Sequence, residues 1–204
     1  MIPKLLLSLA LALTGLPMTA SAVESVPYKG RIIQVGDSPA AKQCVEMARK
    51  AIDMVEGLPS HLKMLGHAVK DLKCDPPRES GAYLDNVIGV YTMTSKTEPR
   101  GYIDFRTNPA FRSPAQFAIS IVNNGIYAGW HRSYIQASHQ AAADPAAREK
   151  ARQLEALLSK GDLGAVARAE CDFLAVTRET IQALDLGERQ ISAIGKSMRN
   201  RNCL

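Results

Sequence analysis

The stretch that decides the fold runs from residue 113 to residue 140 and reads SPAQFAISIVNNGIYAGWHRSYIQASHQ. Serine is a preferred helix N-cap, and proline is favoured at the first helical position. Ser113-Pro114 therefore predicts the start of a helix that continues to about Gln140. An apolar surface is supplied by Phe117, Ile121, Ile126, Trp130 and Tyr134. We expect this helix to be the centre of the domain.

A β-hairpin is the alternative, because Asn123-Asn124-Gly125 is also a turn signal. Its strands would be residues 116–122 and 126–134. The triplet is unfavourable inside a helix, by about 2 kcal/mol relative to alanines. The helix-start signal and the lack of an earlier turn favour the helix. Within a helix, such a triplet indicates a present or former site, or a glycine that lets a neighbour pack closely.

The residues before this stretch predict two helices and a small sheet. Apolar residues recur with helical spacing in 40–56 and 60–73, and Leu58-Pro59 separates the two segments. Strand-forming residues occupy Arg31–Val35, Asn86–Thr94 and Tyr102–Arg106.

Three more helices follow the central one. Asp144-Pro145 opens a helix that ends at Lys160-Gly161-Asp162, and residues 163–185 and 188–202 form a helical hairpin around Gly187. The predicted fold is a single helix-rich α+β domain, residues 23–204, in which a small sheet packs on a long central helix.

Four cysteines, at positions 44, 74, 171 and 203, suggest disulfide bonds. If the predicted helix pairs fold as antiparallel hairpins, Cys44 lies opposite Cys74, and Cys171 lies opposite Cys203. Each bond would close a loop of about 30 residues and stabilise the fold by about 3–4 kcal/mol in the chain-entropy model. No CxxC or CxxxC pair is present, so the spacing does not favour a zinc–thiolate site.

The first 22 residues are typical of a bacterial secretion signal. Lys4 precedes the apolar run Leu5–Leu16, and Ala20-Ser21-Ala22 matches a signal-peptidase site. We expect cleavage after Ala22 and a periplasmic or secreted protein. The run is shorter than the roughly 20 residues that span a bilayer, and no longer apolar run follows. A net charge of +5 among 204 residues does not indicate a nucleic-acid partner.

The segment Tyr102–Trp130 resembles a zincin-type metallopeptidase. In that fold an edge strand and a loop precede a helix that carries His-Glu-x-x-His. The two histidines bind zinc because residues four apart share a helix face, and the glutamate polarises the metal-bound water. Here the resemblance places Asn123 and Tyr127 at the histidine positions and Asn124 at the glutamate position. Ala128 and Trp130 match the flanking pattern.

The resemblance also places Glu170, on a later helix, where zincins provide a third zinc ligand. Asn123, Asn124, Tyr127 and Glu170 would then form a vestigial site. Amide and phenol groups are poor zinc ligands, and an amide cannot serve as a general base near neutral pH. The resemblance therefore implies a zincin-like scaffold with no metal, no cofactor and no catalytic residues.

Four further residues are candidates for lining a cleft: Trp130, His131, Tyr134 and Asp172. Core packing is the favoured interpretation of the aromatic residues, and we expect His131 to be exposed or at the edge of the core. In active zincins the edge strand pairs with an extended substrate, so a peptide could dock beside Asp104, Arg106 and Arg112. An ordinary solvated face is the favoured interpretation of those three residues.

The leading hypothesis is an exported, non-catalytic pseudo-peptidase that binds an envelope or extracellular protein or peptide. The first alternative is an active periplasmic hydrolase with an unconventional site around Glu170, Asp172, His131 and Tyr127. The second is an immunity-type helical protein that neutralises a toxin in the periplasm.

Overall fold

The computed structural model describes residues 24–76, 88–159 and 163–203. The strands are β1 (Glu24–Tyr28), β2 (Arg31–Val35), β3 (Asp71–Cys74), β4 (Gly89–Met93) and β5 (Gly101–Phe105). The helices are α1 (Ala41–Glu56), α2 (Ser60–Gly66), α3 (Pro114–Gln140), α4 (Pro145–Ser159), α5 (Leu163–Ala183) and α6 (Glu188–Asn200). The predicted secretion signal, the first residues of the predicted strand at 86–94, and the helix break at 160–162 lie outside the described residues.

The five strands form one mixed sheet in the order β1-β2-β3-β5-β4. The inner pairs, β2 with β3 and β3 with β5, are parallel, and the outer pairs are antiparallel. β1 and β2 form a hairpin whose two loop residues, Lys29 and Gly30, have positive φ angles of 46° and 75°. The helix-rich α+β class is confirmed, although sequence analysis missed β1.

The edge strand next to the central helix is β4, so the prediction that residues 102–106 form an edge strand is wrong. β5 lies between β3 and β4, and Ile103 pairs with Leu72 on one side and Tyr91 on the other. Asp104 is 3% exposed and accepts a 2.7 Å hydrogen bond from the Arg106 side chain. The prediction of a solvated face is therefore wrong for Asp104.

The predicted second helix, 60–73, ends early. α2 stops at Gly66, and residues 71–74 are β3. The reason is a change of period, since Leu72 and Cys74 are buried while Asp71 and Lys73 are only partly so. The predicted pairing of Cys44 with Cys74 is confirmed, but the bond joins α1 to a strand rather than to a second helix.

The central helix α3 is confirmed, and the hairpin alternative is wrong. Ser113 and Gln116 form a capping box at its start. Gly125 lies against the backbone carbonyl of Leu65 at the end of α2, where any Cβ atom would clash. The glycine therefore permits the close packing that was one interpretation of the triplet. The buried core around α3 includes Ile33, Val55, Leu72, Ile103, Phe105, Phe117 and Ile121.

The C-terminal helices pack on α3 and on one another. α4 and α5 both pack on α3, and α6 packs on α5. The Cys171–Cys203 bond ties the end of the chain to α5 as predicted. Two disulfide bonds indicate an oxidising, extracytoplasmic environment. Within the described ranges, no helix has the length and apolar character that crossing a membrane requires.

Candidate functional site

Three consecutive residues of α3 join this helix to three different elements. Asn123 contacts Thr177 of α5, Asn124 bonds to strand β4, and Gly125 packs against Leu65 of α2. The triplet is unfavourable in an isolated helix. In the folded protein it joins α3 to the sheet, to α2 before it and to α5 after it. Tertiary contacts outweigh local helix propensity here.

The Asn124 side chain forms hydrogen bonds with backbone groups on the outer edge of β4. Its Oδ1 accepts a 2.8 Å hydrogen bond from the Tyr91 backbone N–H, and its Nδ2 donates to the Gly89 carbonyl at 3.2 Å. Nδ2 also donates to the Ser120 carbonyl at 2.8 Å. Bonds to the C=O of one residue and to the N–H two residues later are those that a neighbouring parallel strand makes. The amide therefore occupies a strand-pairing position.

The orientation of the Asn123 amide is fixed by α5. Its Nδ2 donates to Thr177 Oγ1 at 2.8 Å, and that hydroxyl donates its only hydrogen to the Phe173 carbonyl at 2.7 Å. Thr177 thus acts as an acceptor towards Asn123. Asn123 Oδ1 is buried and has no hydrogen-bond partner among the described residues.

Tyr127 lies in an aromatic cluster between α3 and α5. Its ring centroid is 4.8 Å from that of Phe173 and 5.2 Å from that of Trp130. Burial raises the pKa of Tyr127, and the negative charge of Glu170 raises it further. The hydroxyl is therefore neutral at physiological pH.

Glu170 is close enough to Tyr127 to affect its pKa, but it makes its hydrogen bond elsewhere. Its carboxylate is exposed and accepts a 3.0 Å hydrogen bond from Arg201. The partner of Asn123 on α5 is Thr177, two helical turns beyond Glu170. The structure thus brings Asn123, Asn124 and Tyr127 together on α3, with Glu170 at the margin of this group.

His131 is fully buried, so the expectation of an exposed or peripheral histidine is wrong. Its Nε2 lies 2.9 Å from the Ser95 carbonyl, and its Nδ1 lies 3.0 Å from the Tyr91 hydroxyl. Because a carbonyl only accepts, Nε2 carries the proton and Tyr91 donates to Nδ1. Burial lowers the pKa of His131, while the bond to Ser95 raises it more weakly. The turn after β4 covers the ring, which no local sequence pattern reveals.

The other predicted cleft residues have different surroundings. Trp130 is half-buried, and its ring centroid is 6.2 Å from that of Phe173. Tyr134 is half-buried one helical turn further along α3, and Asp172 is exposed beside Cys171.

A cavity of about 420 Å³ opens between β4 and α3, and Leu158 of α4 and Phe173 of α5 also line it. Its volume is in the range of small-molecule sites. The apolar lining consists of Ile88, Val90, Met93, Ile119, Leu158 and Phe173. The polar lining consists of Gln116, Ser120, Asn123, Asn124, Tyr91 and Tyr127. All of these described side chains are uncharged. The two tyrosines among them stay protonated near neutral pH because burial raises their pKa values.

Sequence reasoning missed several residues of this cavity. Gln116 and Ser120 precede Asn123 and Asn124 on the same side of α3, so extending the helix face by two turns would have found them. Phe173 lines the cavity, and Thr177, four residues later on α5, accepts the hydrogen bond of Asn123, but no sequence signal links these two residues to α3. Strand β4 lies at the site because it is an edge strand, and local sequence patterns do not reveal the order of the strands.

Comparisons with known proteins return no relative. No protein-family model, curated protein or solved structure matches this chain. Within residues 24–76, 88–159 and 163–203, no group of three or more histidine, cysteine, aspartate or glutamate residues is arranged to hold a metal ion. The geometry of the cavity is therefore the main indication of what the protein does.

Proposed function

We propose that this protein is an exported, non-catalytic binding protein built on a zincin-like scaffold. Its binding site is the cavity between β4 and α3, and its partner is a protein or peptide of the cell envelope or the exterior. The observation that best supports this proposal is the position of the cavity. It lies between an edge strand and the helix that bears Asn123, Asn124 and Tyr127. In a zincin the site lies between the same two kinds of element.

The chemistry of the cavity favours binding over hydrolysis. The residue in the position of the catalytic glutamate, Asn124, is an amide that cannot take up a proton, and its polar atoms are engaged by β4 and Ser120. His131, the nearest histidine on α3, has both ring nitrogens hydrogen-bonded away from solvent. An uncharged, partly apolar cavity is suited to holding a ligand.

Site-specific photo-crosslinking in the cells that make the protein tests the proposal. A photoreactive amino acid replaces Ile119, which lines the cavity, or Gln136, which is exposed further along the same helix. We expect a discrete adduct with one partner from position 119 and none from position 136. No adduct, or the same adducts from both positions, would contradict the proposal.

Zinc analysis of the purified protein tests the loss of the metal site. We expect only traces of zinc, because amide and phenol ligands bind it poorly. Stoichiometric zinc that survives dialysis against a chelator would overturn the non-catalytic part of the proposal and favour the hydrolase alternative.

A further inference from the structure

The two disulfide bonds differ in how deeply they are buried. Cys44 and Cys74 are 0% exposed and belong to the hydrophobic core between α1 and β3. Cys171 and Cys203 are both partly exposed, and their bond joins α5 to the residues that follow α6. A disulfide is reduced by direct attack of a thiolate on sulfur, so access to the bond controls the rate. The folded protein therefore offers an external thiol a route to the second bond and none to the first.

A turn after α6 places Cys203 against α5. Asn202 has a φ angle of 55°, a left-handed conformation that asparagine tolerates better than most residues. Its backbone N–H donates to the Arg199 carbonyl at 3.1 Å. The backbone N–H of Cys203 donates to the Met198 carbonyl at 2.9 Å. These two bonds form the Schellman motif that ends many helices, and the turn brings the Cα atoms of Cys203 and Cys171 to 5.3 Å.

The Cys171–Cys203 bond helps to hold α6 in place. Among the described elements, α6 packs mainly on α5. Arg201 donates a 3.0 Å hydrogen bond to the Glu170 carboxylate beside the disulfide, but both side chains are exposed, and such pairs add little stability. α6 has 13 residues, and an isolated helix of this length is marginally stable in water. Opening the disulfide therefore leaves α6 dependent on its packing against one other helix.

We propose that the Cys171–Cys203 bond is a redox switch, which a dithiol opens to release α6 from α5 while Cys44–Cys74 stays closed and keeps the core folded. A thiolate of the dithiol attacks one sulfur of the pair, and the other cysteine leaves as a thiolate. The second thiol of the reagent then attacks the mixed disulfide and frees the first cysteine. Two electrons and two protons pass to the two cysteines, and the dithiol becomes a disulfide. In an oxidising compartment the switch is closed, so a dithiol oxidoreductase is the class of partner that opens it.

Graded reduction of the folded protein by dithiothreitol tests which bond opens. Free thiols are blocked with N-ethylmaleimide in the absence of denaturant, and mass spectrometry of the peptides gives the labelled fraction of each cysteine. We expect Cys171 and Cys203 to be labelled at least about ten times faster than Cys44 and Cys74, because only the first pair is within reach of the reagent. Equal rates for the two pairs, or labelling that begins only when the protein unfolds, would refute the proposal.

Hydrogen exchange tests whether opening the bond releases α6. After mild reduction, amide exchange in residues 188–200 should accelerate by about tenfold or more, while exchange in α3 should not change. The variant Cys171→Ser/Cys203→Ser should show the same rapid exchange without reductant, and dithiothreitol at the same concentration should add nothing. If the bond opens and α6 keeps its protection, the disulfide is not a switch and the proposal is wrong. Neither experiment depends on whether the cavity binds a partner.

Discussion

The two faces of α3 differ in how they are filled. On the core face, Phe117 and Ile121 are completely buried, and Gly125 lies directly against α2. On the other face, Ser120 and Asn123 border a cavity of about 420 Å³. Protein interiors are normally close-packed, so a cavity of this size beside a tight core indicates a division of roles. We infer that one face stabilises the domain and the other is available for binding.

The largest effect should come from the core face. Phe117→Ala removes a ring whose centroid is 4.5 Å from that of Phe105, and we expect a loss of about 4 kcal/mol in the free energy of unfolding. Urea denaturation followed by Trp130 fluorescence measures it. As a control, Ile119→Ala on the cavity face should cost less than half as much, and equal losses would contradict the division between the faces.

A smaller loss should follow at the boundary between the faces. Asn124→Leu leaves the Tyr91 N–H and the Gly89 C=O without their partner, and we expect a loss of about 2 kcal/mol. The same urea titration measures it. A change within experimental error would mean that β4 does not depend on the amide.

A pH-dependent effect should come from His131, which anchors the turn after β4. Burial holds its pKa in the folded protein below the ordinary value of the unfolded chain. The unfolded state therefore takes up the proton first, and this contribution to stability is present above the ordinary pKa and is lost as the pH falls through it. Unfolding titrations at pH 7.5 and pH 5 measure the loss, and it should be smaller in His131→Gln. An unchanged pH dependence in that variant would show that another group is responsible.

The smallest effect on stability should come from the residue beside Asn124. Asn123→Leu loses one hydrogen bond to Thr177 but also removes a buried acceptor that has no donor. The two contributions oppose each other, so we expect a change below about 1 kcal/mol. Compared with Asn124→Leu, this variant shows which of the two amides stabilises the fold. Losses of equal size in the two leucine variants would remove that distinction.

The sequence predicted the elements whose signals are local. Ser113-Pro114 located the start of α3, and the arrangement of the four cysteines led to both disulfide pairs. The errors came from contacts between distant residues. The position of β5 inside the sheet depends on strand order, and the burial of His131 depends on a turn 36 residues earlier.

Within the candidate site, the sequence identified the helix face but not its partners. Helical spacing brings Asn123, Asn124 and Tyr127 to one region. The two asparagines are chemically identical, and only the structure distinguishes the one that bonds β4 from the one that leaves an acceptor free. The wrongly predicted residues 71–73 show the same limit, because Leu72 fits both a helical stripe and an alternating strand.

Introducing histidines at positions 123 and 127 is the most direct test of the proposed zincin-like site. The double variant Asn123→His/Tyr127→His keeps Asn124, and therefore β4, in place. Glu170 lies within electrostatic range of position 127 and would be the third ligand. We predict that the folded variant binds stoichiometric zinc and that adding Glu170→Gln weakens this binding. A folded variant that takes up no more zinc than the parent protein would contradict the account.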